Sequence, residues 1–72
     1  MDDFLKDLAT ILEVEQVNPG DDLKAFPSWD SLAVLSVIAM LDSNYGVLLR
    51  AADFAPITSA ADLWKLVQSK KA

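Results

Sequence analysis

A chain of 72 residues, 53% of them hydrophobic, can build one small core, which argues against both a second domain and whole-chain disorder. It has no cysteine and no histidine, which excludes disulfides, a thiol nucleophile and thiolate metal sites, and removes the usual general base and the commonest metal ligand. A net charge of −5 disfavours nucleic acid and anionic membranes and favours partners with basic surfaces. The remaining carboxylates show no EF-hand spacing, so no metal site is expected. The opening Met1-Asp2-Asp3 has the wrong charge for a secretory leader, and no apolar run is long enough to span a bilayer, so the expected compartment is the cytoplasm.

In chain order, Phe4, Leu5, Leu8, Ile11 and Leu12 fall on one helical face, and Asp2, Asp3 and Asp7 suit the positive end of that helix. Val14 and Val17 lead into Asn18-Pro19-Gly20, a strong turn signal. The loop then continues through Trp29, with Leu23 and Phe26 expected to pin it to the core. Asp30 is the expected N-cap of a second helix from about Ser31 to Tyr45, with Gly46 as its stop. Val34, Val37, Ile38, Leu41 and Tyr45 make one face, the expected core face; Leu32, Leu35, Ser36, Ala39 and Ser43 lie largely opposite. A helix with large apolar residues on both faces is either fully buried or offers one face to a partner.

A short helical turn is expected around Ala51 to Phe54 before Pro56, and Ser59-Ala60-Ala61-Asp62 resembles a capping box. The last helix turns Leu63, Leu66 and Val67 inward, with Trp64 at the edge of that face and Lys65, Lys70 and Lys71 towards its C-terminal end. Phe54, Ile57 and Trp64 are expected in the core. The fold class is all-α: a single domain over 1–72, a small bundle of three main helices plus one short helix.

Ser31 follows a long loop, opens an apolar helix and has no local base to activate it. Asp30-Ser31-Leu32 in this place resembles the phosphopantetheine attachment motif of the acyl carrier protein family. The resemblance extends over nearly the whole chain: an amphipathic first helix, the loop, Asp-Ser-Leu, the Tyr45-Gly46 pair closing helix two, a short third helix, and Ile57-Thr58-Ser59 leading into the last. Trp29 before the motif is similar to stand-alone, pathway-specific carriers.

The resemblance implies an acyl-carrier-protein-like bundle that is not an enzyme and acts as a monomer. It implies a covalent 4'-phosphopantetheine on Ser31, flanked by Asp30 and Leu32 and installed by a phosphopantetheinyl transferase (a holo-acyl-carrier-protein synthase). It further implies partners that load and accept acyl thioesters, such as an acyl-loading ligase or a ketosynthase/acyltransferase of a fatty-acid, lipid or polyketide pathway. The implied partner surface is Trp29, Leu32, Leu35, Ser36, Ala39 and Asp42. In the housekeeping carrier helix two is lined with acids; here the matching positions are Ala33, Ser36, Ser43 and Asn44, and Asp42 is the acid kept.

Other readings stand beside these. Asp30 and Ser31 can simply start a helix. Leu35 can belong to the core, Trp29 can pack with Phe26 and Pro27 instead of marking a partner site, and Asp21-Asp22 is a solvated loop end rather than a cation site. Ala39, Ala51 and Phe54 would border an acyl cavity if one exists. The functional alternatives are an aminoacyl, D-alanyl or peptidyl carrier and a cofactor-free helical interaction module. Peptidyl carriers typically place glycines before the serine, and Ser28-Trp29-Asp30 has none. An autonomous hydrolase is the remote option.

Overall fold

The computed structural model describes residues 2–71; Met1 and Ala72, the ends of the expected domain, lie outside the described residues. Three α-helices carry the fold: α1 (Asp2–Leu12), α2 (Ser31–Tyr45) and α3 (Ala60–Lys71). Two short 3-10 turns, η1 (Leu23–Ala25) and η2 (Ala51–Phe54), sit in the connections. The chain is therefore the all-α small bundle that its periodicity predicts. The addition is η1, inside a segment that reads from sequence as loop. It forms because the Asp22 carboxylate accepts the Lys24 backbone N–H at 2.9 Å, a local side-chain cap that only structure reveals.

Helix α1 buries Phe4, Leu8 and Leu12 at four-residue spacing, together with Ala9, and keeps Asp2 and Asp3 in its first turn. It ends on Glu13, whose φ of 59° is left-handed. The next N–H, from Val14, donates back to the Ala9 carbonyl at 3.0 Å. That bond closes a Schellman turn in which glycine usually takes the left-handed position. A residue with a Cβ there costs on the order of 1 kcal/mol.

The long connection to α2 is tied down along its length. Leu23 N–H donates to the Thr58 carbonyl at 2.9 Å, and Leu23 itself is fully buried. In return the Ala60 and Ala61 N–H groups donate to the Asp21 and Pro19 carbonyls at 3.2 and 2.8 Å. Two orphan donors at the start of α3 are thereby satisfied by the loop. The Lys24 ammonium donates to the Ala55 carbonyl at 2.8 Å and fastens η1 to the end of η2.

Helix α2 stops where Gly46 adopts φ 66°, with its N–H donating to Asp42 and the Val47 N–H to Leu41. Val47 and Leu49 are buried beyond it while Leu48, between them, is 73% exposed. Helix α3 starts with the predicted capping box. Ser59 N–H donates to the Asp62 carboxylate, and Asp62 N–H donates to Ser59 Oγ, both at 3.2 Å.

The core collects Phe4, Leu8, Leu12, Leu23, Val37, Leu41, Leu49, Leu63 and Val67, with Phe54 and Ile57 buried beside them. Trp64 is half-buried at the edge, its ring 4.9 Å from Phe4 and 5.9 Å from Tyr45. Helix α2 packs against both α1 and η2, so α2 is braced by two elements. Among the described residues, no helix is long and apolar enough to cross a membrane.

Candidate functional site

The site is built around the first turn of α2. Asp30 holds an extended backbone (φ −141°, ψ −171°), and its Oδ1 accepts the Ala33 N–H at 2.9 Å. Its carbonyl accepts the Val34 N–H at 3.0 Å. Capping therefore falls to Asp30, as predicted. Ser31, one residue on, is exposed as the first residue of the helix. Its hydroxyl is not the cap; Asp30 takes the Ala33 and Val34 N–H groups, which leaves those of Ser31 and Leu32 without an intrahelical acceptor. With no histidine or cysteine in the chain, an exposed serine alcohol at a helix N-terminus suits a reaction driven from outside. A phosphate attached there would meet free N–H donors and the positive end of the helix dipole.

The loop delivers this serine from a fixed base. Trp29 N–H donates to the Phe26 carbonyl at 3.0 Å. The half-buried Trp29 ring lies 6.2 Å from Phe54, tilted by 51°. The residue before the motif thus locks the loop onto η2. The expectation that Trp29 packs within its own loop, against Phe26 and Pro27, misses this partner, because a contact between residues 29 and 54 leaves no trace in local sequence.

Leu32 and Leu35 are 73% and 58% exposed, and Ser36, Ala39, Asp42 and Ser43 are exposed with them. At helical spacing these residues make one outward strip that starts beside Ser31. Leu35 does not join the core. The core face is rotated slightly from the predicted one. Ala33, Val37 and Leu41 are its buried line, while Val34, Ile38 and Tyr45 are only half-buried. Ala33 is corrected most. Grouped by resemblance with the outward positions, it is 5% exposed and belongs to the interior. Its burial is a role that one methyl group does not announce in a sequence.

Ala39 and Ala51 are exposed and Phe54 is buried. The Asp21-Asp22 pair is occupied locally: Asp21 Oδ2 accepts the Asn18 N–H, and Asp22 caps η1. Among the described residues no group of three or more metal-ligating side chains occurs. A groove of about 300 Å³ adjoins the start of α2, with Ile11 and Glu13 on one side and Ser28, Asp30, Leu32 and Ser36 on the other. Glu13 is the member that sequence reading misses. The signal for it was the end of the α1 periodicity at Leu12 with no glycine following.

No family model matches the chain, and neither a curated protein nor a solved structure matches it.

Proposed function

We propose that the protein is an acyl carrier, armed on Ser31 with 4'-phosphopantetheine, that delivers acyl groups to the enzymes of a dedicated pathway. The observation that carries this reading is the division of labour at the start of α2. Asp30 caps the helix, and Ser31 is left exposed at its N-terminus. A phosphopantetheinyl transferase directs the Ser31 hydroxyl at the pyrophosphate of coenzyme A. The Oγ–P bond forms, the pyrophosphate P–O bond breaks, the nucleotide half leaves, and the hydroxyl proton passes to a base on the transferase. The arm supplies a terminal thiol that holds the acyl group as a thioester, so the chain itself needs no catalytic residue. Leu32, Leu35, Ser36, Ala39 and Asp42 form the surface that partner enzymes read, with Asp30 at its end. The strip is mostly uncharged, which assigns recognition chiefly to apolar contact. The cytoplasm is the compartment where such a carrier meets its enzymes.

The exposed Leu32 and Leu35 equally favour a second reading, a cofactor-free module that binds a partner through α2. Incubation with coenzyme A and a broad-specificity transferase separates the two. The carrier gains a single adduct in its intact mass and Ser31→Ala gains none. A module stays unmodified. An adduct retained by Ser31→Ala contradicts the assignment. Loading of the armed chain with acyl rather than aminoacyl groups separates it from aminoacyl, D-alanyl and peptidyl carriers.

A further inference from the structure

The groove beside the start of α2 joins two elements that the attachment reading does not connect. Half-buried Ile11 and buried Ala33 give it an apolar side, and Leu32 stands exposed at its edge. Glu13 and Asp30 bring two carboxylates, Ser28 and Ser36 two hydroxyls, and none of the lining residues is basic. The Asp30 carboxylate is already engaged by the Ala33 N–H, whereas Glu13 is exposed at the corner of α1. An apolar side under an anionic edge fits a long basic side chain, whose aliphatic stem covers carbon while its cation meets carboxylate.

The arm itself is a poorer fit. At 3.6 residues per turn, Ala33 and Ser36 lie roughly 160° and 140° around α2 from Ser31. An arm leaving Ser31 therefore starts on another side of the helix. A metal ion finds two carboxylates there, one of them committed to capping.

We propose that the enzyme that modifies Ser31 docks across this groove as well as on α2, setting an arginine or lysine against Glu13. Glu13 is then a specificity-determining contact supplied by α1, on a chain whose recognition helix is nearly bare of acids. The inference rests on the attachment reading above.

Two variants test it. Glu13→Gln removes the charge and keeps the size. Glu13→Gly removes the side chain and suits the left-handed backbone, so that variant melts no lower than the native chain. KM and kcat are measured for arm transfer from coenzyme A by a broad-specificity transferase, at low and high NaCl. Both variants are expected to raise KM roughly three- to five-fold at low salt, with kcat unchanged, and the gap closes at high salt. An unchanged KM in both variants overturns the proposal. So do amide shifts at Glu13 and Ser36 on arm attachment alone, which put the arm in the groove, or on titration with MgCl2, which put a cation there. If the native chain accepts no arm, the attachment reading falls and takes this inference with it. If the native chain is modified and the Glu13 variants behave identically, only this inference falls.

Discussion

Asp62 shows how a single carboxylate ties this fold to pH. Hydrogen bonding from the Ser59 backbone N–H, helped by Thr58 N–H, Ser59 Oγ and the charge of Lys65, holds its carboxyl below the ordinary aspartate value against a smaller opposing effect of burial. A group whose pKa is lowered on folding stabilises the native state above its unfolded pKa, and that contribution is lost as pH falls through the lowered value. Thermal melts of the native chain and Asp62→Asn should therefore differ at pH 6 and converge towards pH 2–3. A constant gap across that range contradicts the capping-box account. Tyr45 runs the other way. Burial, then the charges of Asp7 and Asp3, raise its phenol above the usual value. Its contribution is complete below about pH 10 and is lost as pH climbs through the raised value. Tyr45→Phe should flatten the alkaline fall in melting temperature, and an unaltered alkaline limb would exclude Tyr45 as its source.

At the scale of elements, Ala33 and Ser36 make a sharp comparison. Both occupy positions where the resemblance places outward residues on helix two, yet Ala33 is buried and Ser36 is exposed. Ala33→Glu forces a carboxylate into the interior and should cost several kcal/mol or abolish folding. Ser36→Glu should change stability by less than about 0.5 kcal/mol in urea denaturation. Equal midpoints for the two variants would show that the packing of α2 is misassigned.

The same pair marks the boundary of what sequence makes legible. The bounds of α2 can be read because Asp30 and Gly46 are local signals whose chemistry acts within four residues. The capping box of α3 is legible for the same reason. The burial of Ala33 and the contact of Trp29 with Phe54 depend on segments that meet only after folding. For the candidate site, the exposure of Ser31 beside its cap follows from local rules. The place of Glu13 on the same groove does not, since it requires the angle at which α1 ends against α2.

At the scale of the whole molecule, a net charge of −5 on 72 residues means mutual repulsion in the folded state, with Asp2 and Asp3 side by side in the first turn of α1. Added NaCl screens that repulsion, so melting temperature should rise by about a few degrees between low salt and 0.3 M. A flat or falling temperature would show that screening of attractive pairs dominates. The exposed strip from Leu32 to Ser43 is compatible with this charge, because net charge opposes self-association through two exposed leucines.

The central claim is that Ser31, and no other hydroxyl near the start of α2, receives the arm. Its most direct test is fragment mass spectrometry of the full chain after reaction with coenzyme A and a broad-specificity transferase. The account predicts one phosphopantetheine per chain, on the fragment ion that contains Ser31 and excludes Ser28 and Ser36. An adduct on either of those serines, or an unmodified chain under conditions that arm a control carrier, contradicts it.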